Sequence, residues 1–76
     1  MKTLALPGSV ASFVAGGGRD VSISALPPAA LTGLVAGDHV RITDDRGAEL
    51  GLAIVDPDND KLRVLATAAE IGRAHV

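Results

Sequence analysis

Polar and apolar positions alternate along much of the chain, in short runs separated by turn residues. Lys2-Thr3-Leu4-Ala5-Leu6 alternates and stops at Pro7-Gly8, which predicts a short first strand and a turn. Val10, Phe13 and Val14 then fall at the i, i+3, i+4 spacing of one helical face. Ser9 stands where a cap belongs, and Gly16-Gly17-Gly18 ends the segment after one or two turns. From Asp20 to Ala25 the alternation returns, with Val21, Ile23 and Ala25 on one face and Ser22 and Ser24 on the other, and predicts a half-buried strand. Leu26-Pro27-Pro28 closes it, because proline has no N–H to give a ladder. Ala29 to Ala36 has helical spacing in Leu31, Leu34 and Val35, but Gly33 and Gly37 reduce the expectation to a loop with one turn.

The second half is more regular. His39-Val40-Arg41-Ile42-Thr43 alternates, and Asp44-Asp45-Arg46-Gly47 has the residues of a hairpin turn. Ala48 to Val55 follows as a strand with Ala48, Leu50, Leu52 and Ile54 on one face. Asp56-Pro57-Asp58-Asn59-Asp60 supplies a second turn, and Lys61-Leu62-Arg63-Val64-Leu65 a further strand with Leu62 and Val64 inward. These three strands form an antiparallel meander. With the strands at Lys2 and Asp20 they make a mainly β chain of about five short strands and one short helix, the pattern of a small, partly closed β-barrel.

Composition narrows the picture. With 76 residues there is room for one small domain, and such a chain is close to the lower size limit for a self-sufficient core. No cysteine is present, so there is neither a disulfide framework nor a thiolate metal site. Phe13 is the only aromatic residue, which leaves the core to aliphatic side chains. The longest uncharged stretch, Thr3 to Gly18, is broken at Pro7 and is too short to span a bilayer; it is also a poor signal peptide, and a cytoplasmic location is expected. The last six residues, Ile71-Gly72-Arg73-Ala74-His75-Val76, read like the in-frame translation of a sequencing-library adapter. They are expected to be non-native, with the domain occupying 1–70 of a longer parent protein. Without Arg73, six basic residues stand against nine acidic ones, a charge of −3.

Few residue groups carry chemistry. Asp56, Asp58 and Asp60 alternate as a calcium loop begins, but Lys61 and Thr67 stand where such a loop needs Gly and Glu, so a solvated turn is the better reading. Gly16-Gly17-Gly18 lacks the Lys-Ser/Thr pair of a phosphate loop and the spaced glycines of a dinucleotide turn, and reads as a connector. His39 and His75 are too far apart in sequence to suggest a ligand pair, and no metal is expected. No serine has the setting of an activated nucleophile, and no catalytic residue is assigned. Arg41, Arg46, Lys61 and Arg63 come from adjacent strands and one turn of the meander, and are the candidate contacts for phosphate groups; the alternative is an ordinary mixed surface, since Asp44, Asp45, Glu49, Asp58 and Asp60 lie close by. A single aromatic gives no platform for stacking bases, so any such contact would rest on shape and backbone.

Gly37-Asp38-His39-Val40-Arg41-Ile42-Thr43-Asp44-Asp45-Arg46-Gly47-Ala48-Glu49-Leu50-Gly51, the Asp56-Pro57 turn and the Arg63-Val64-Leu65 strand resemble the N-terminal PUA-like domain of class I SAM-dependent ribosomal RNA methyltransferases. That family opens with a short strand and Pro-Gly and continues with G-D-x-V-x-V-x-D-x-x-G-x-x-L-G. Members carry His-Pro-Trp-Val near the second strand, where this chain reads Gly18-Arg19-Asp20-Val21. The resemblance implies a PUA-like barrel that binds ribosomal RNA as an accessory to a downstream methyltransferase domain. SAM would belong to that domain of the parent protein, with no cofactor in this segment. The D-x-x-G-x-x-L-G run is also similar to PRC-type barrels, which implies the alternative of a protein-interaction or ribosome-assembly module.

Overall fold

The computed structural model describes residues 2–68. The expected adapter-derived tail, 71–76, lies outside them. The fold is mainly β: the described residues form five strands in one mixed sheet with one α-helix against it. The strands are β1 (Lys2–Ala5), β2 (Asp20–Ser22), β3 (His39–Thr43), β4 (Glu49–Asp56) and β5 (Lys61–Thr67), and the helix is α1 (Gly8–Ala15). Their order across the sheet is β1-β3-β4-β5-β2. β3, β4 and β5 form the predicted antiparallel meander, β2 adds antiparallel to β5, and β1 pairs parallel with β3. The sheet is not closed, and β1 and β2 are its two edges.

One face of the sheet carries the core. Leu4, Val40, Ile42, Ala53, Val55, Leu62, Val64 and Val21 point to it, and Leu6, Ala11, Val14 and Leu26 cover them from the helix and the loops. Ala30, Leu31 and Leu34, in and after a 3₁₀ turn at Pro28–Leu31, pack on the same cluster. Burying side chains of this size contributes about 1.5–3 kcal/mol each for the larger aliphatics. No described helix is long and apolar enough to cross a membrane.

Several local expectations change. The Asp20–Ala25 strand stops at Ser22, and Ile23–Ala25 turns into 3₁₀ geometry. The cause is Asp60, whose carboxylate accepts from the Ser22 hydroxyl (2.6 Å), the Ser24 hydroxyl (3.1 Å) and the Ser24 amide (3.0 Å), bending the chain out of the ladder. Ser9 does not cap the helix. Pro7 holds the N-cap position, and no side chain caps it. α1 buries Ala11 and Val14 but leaves Phe13 54% exposed, with its ring lying on Gly18.

The largest change is in β4. Ala48, Leu50, Leu52 and Ile54 were the expected apolar face, yet the buried positions are Gly51, Ala53 and Val55. Every residue from Leu50 to Val55 is apolar or glycine, so alternation cannot choose the inward side. Cross-strand register does: Ala53 stands opposite the buried Val40 and Gly51 opposite the buried Ile42, while Leu50, at the β3–β4 register shift, also packs on the core. Gly51 is constrained by β5 as well, since a Cβ there would collide with the Ala66 carbonyl oxygen. Irregularities at Ile42/Thr43 and Leu52/Ala53 bend the strands around this point.

The turn residues between Gly37 and Gly47 have physical reasons of their own. Gly37 has φ +86, and Asp38 accepts from the Val35 amide (2.9 Å) and forms an ion pair with Lys2 (2.9 Å). Asp44 accepts from the amides of Arg46 (2.8 Å) and Ala48 (2.9 Å), and Gly47 completes the turn at φ +88.

Candidate nucleic-acid interface

The face of the sheet opposite the core is the candidate interface. Strand register sets its layout, because residues directly opposite each other on paired strands share a face. His39, Ile54, Arg63 and Asp20 form one row across β3, β4, β5 and β2. Thr3, Arg41, Leu52 and Ala66 form the next, across β1, β3, β4 and β5. Asp56, Lys61 and Ser22 form a third at the end of the meander.

Three of the four candidate cations, Arg41, Lys61 and Arg63, therefore lie on one face. Arg41 and Arg63 sit two strands and one row apart, a backbone separation of about 12 Å from ordinary sheet spacings. Arg46 is not with them. It stands in the β3–β4 turn and borders a groove against Gly8, Ala11 and Ser12 of α1, on the helix side of the sheet.

The face is not simply basic. Arg41 Nε is 3.0 Å from Glu49, and Arg63 reaches Asp56 through Nε (3.1 Å) and Asp20 through Nη1 (3.6 Å). Asn59 also donates to Asp56 (2.9 Å), and this hydrogen bond, with Arg63 behind it, holds the Asp56 carboxyl below its usual range. Among the described residues, Lys61 and Arg46 make no ion pair. All the paired groups are partly or largely exposed, so their carboxylate partners exchange readily with another anion.

Between the arginines lie the side chains that alternation assigned elsewhere or left unplaced. Leu52 and Ile54 are half-buried in the centre of the face, and Leu65, the extra residue of the β5 irregularity, is 46% exposed. The only sequence signal for them was the unbroken apolar character of β4. Phe13 is on α1, on the other side of the sheet, so no aromatic ring serves this face. Among the described residues, no group of three acidic or histidine side chains comes together to hold a metal ion.

No family model matches the chain, and no curated protein matches it.

Proposed function

We propose that the chain is an RNA-binding accessory domain, PUA-like in role, that lays the outer face of its sheet along the backbone of ribosomal RNA and positions it for SAM-dependent methyl transfer by another domain of its parent protein. The observation that carries this reading is the placement of Arg41, Lys61 and Arg63 on one open face. Phosphate oxygens would take the places of Glu49 and Asp56 as arginine partners, an exchange with little net change because exposed ion pairs contribute little. The same carboxylates stay nearby and hold the overall affinity down, so the face orients RNA rather than capturing it unaided.

The chain's own part ends with positioning. SAM supplies the methyl group in such chemistry, and its turn would need glycines leading from a strand into a helix. Gly16-Gly17-Gly18 lead instead from α1 into β2, with Gly18 under the Phe13 ring, so SAM is assigned to no residue here.

Fluorescence anisotropy with a ribosomal RNA fragment, read across a salt series, tests the proposal. Arg41→Ala and Arg63→Ala should each weaken binding and reduce the slope of log affinity against log salt by about 1. Unchanged affinity and slope in both variants would remove the face from RNA binding.

A second reading, a PRC-type protein-interaction module in the cytoplasm, is favoured by Leu52, Ile54 and Leu65 on the same face. The two separate cleanly. Leu65→Gln, which removes the apolar side chain without adding charge, should abolish capture of a protein partner if apolar contact dominates, and should weaken RNA binding less than Arg63→Ala if phosphate contact does.

A further inference from the structure

We infer that His39 is a further contact of the outer face, a protonated imidazole that takes a phosphate of the RNA backbone beside Arg41 and makes the face bind more tightly in mild acid; this rests on the RNA reading above and deepens it. Placement comes first. His39 opens β3 and is exposed. Residues two apart on a strand share a face, so it stands with Arg41, about 7 Å along the strand. Across the sheet it begins the row of His39, Ile54, Arg63 and Asp20, about 10 Å from Arg63 by ordinary strand spacings. His39, Arg41 and Arg63 are thus three corners of one patch, with Ile54 and Leu52 between them.

Charge gives His39 its role. Arg41 is paired with Glu49, Arg63 with Asp56 and Asp20, and Lys61 has Asp60 beside it, whose carboxylate accepts from Ser22 on the same face. Three cations therefore stand against four carboxylates, and the face has no net positive charge to offer a polyanion at neutral pH. Histidine is the side chain whose ordinary charge change falls between pH 5 and 8. Asp56 and Asp60 are held below their usual range by hydrogen bonds, from Asn59 and Ser22 above all, and stay charged throughout that window. His39 is the group by which the face sheds its negative excess.

The surroundings leave the ring available. Its charged neighbours are Arg41 on its own strand, Asp38 just before it with Lys2 of β1, Asp56 on β4 and Arg63 on β5. Asp38 is engaged by Lys2 and the Val35 amide, Asp56 by Asn59 and Arg63. Among the described residues none bonds or pairs with the ring of His39. Arg41 and Arg63 must exchange one anion for another when they meet a phosphate. His39 displaces nothing, and both of its N–H groups are donors once it is protonated. Bound RNA holds the proton on the ring, so by linkage affinity rises as the pH falls and levels off once the free protein is protonated.

Fluorescence anisotropy of the full chain with a ribosomal RNA fragment, at about pH 8 and about pH 5.5 and over a salt series at each, tests the contact. The parent chain should bind about fivefold more tightly at the lower pH, the upper range of one exposed ion pair, with a salt slope steeper by about 0.7. His39→Gln should bind equally at both and match the parent at the higher pH. His39→Arg should bind at the higher pH as tightly as the parent does at the lower. His75→Gln removes the other histidine of the chain and should keep the dependence. Far-UV circular dichroism confirms that each variant is folded. A dependence that survives His39→Gln, or that disappears with His75→Gln, overturns the inference. So does equal affinity of the parent at both pH values; if Arg41→Ala and Arg63→Ala still weaken binding there, the RNA reading stands without His39. Absence of RNA binding at both pH values overturns the two together.

Discussion

The meander and the segment before it are held together by different kinds of contact. In β3, β4 and β5 each strand pairs with its neighbour in sequence, and each turn carries its own acid: Asp44 in the first, Asp56 with Asn59 at the second. The first part of the chain has no such self-sufficiency. β1 is held by β3, β2 by β5, and the links that fasten them are long-range: Lys2 to Asp38, Lys2 to the Gly33 carbonyl, and Ser22 and Ser24 to Asp60. The meander can form from local instructions, whereas the first part takes its shape from the meander. This difference also divides the chemistry, since three of the four candidate cations, Arg41, Lys61 and Arg63, stand on strands of the meander.

The strongest way to break the comparison is through the core. Ile42→Ala, at a fully buried meander position, should cost 2–5 kcal/mol in urea unfolding, and Val14→Ala in α1 about 2 kcal/mol because fewer methyl groups are lost. A larger loss at Val14 than at Ile42 would make the helix, not the meander, the organising element. Next comes Gly51→Ala. The added methyl meets the Ala66 carbonyl, a backbone atom that yields only if β4 and β5 separate, so a loss of about 1–3 kcal/mol is expected, with selective weakening of amide protection at the end of β5.

Acidification sharpens the comparison with the smallest effect. Asp38 is held below its usual range by the Lys2 hydrogen bond and the Val35 amide, and Asp60 by the Ser22 and Ser24 hydroxyls. A carboxyl depressed in the folded state stabilises it above the unfolded value and loses that contribution as the pH falls through the folded one. Stability should thus be flat near neutrality and decline below about pH 4. Asp38 and Asp60 fasten the first part, so the Ile23 amide, bonded to the Asp60 carbonyl, should lose exchange protection before the amide of Val40. Simultaneous loss at both would show that the two parts open as one.

These contrasts explain what was legible in the sequence. The strands at His39 and Lys61, both turns and the mainly β class followed from alternation and turn chemistry, because the contacts responsible are close in sequence. The parallel pairing of β1 with β3 was not readable, since nothing in Lys2 to Ala5 encodes a partner so far away. β2 was read too long because its end is set by Asp60, not by its own residues. For the candidate site, the common face of Arg41 and Arg63 follows from the meander. That acids, Glu49 among them, lie close to these cations is legible as well. The pairing of Arg63 with Asp56 and Asp20 and the outward turn of Leu52 and Ile54 depend on cross-strand register, which a one-dimensional pattern does not hold.

The sheet order has a consequence for synthesis on the ribosome. β1 is made first, but the strand it pairs with ends at Thr43, and β5, which carries β2, ends at Thr67. At ordinary elongation rates β1 waits about 2–8 s for β3 to be polymerised. During that interval Leu4, Leu6, Val10 and Val14 have no sheet to cover, and the nascent chain carries its future core as a short apolar segment available to a chaperone. β2 waits longer for its partner than its place in the chain suggests, since β5, the strand that holds it, is the last of the five to be polymerised.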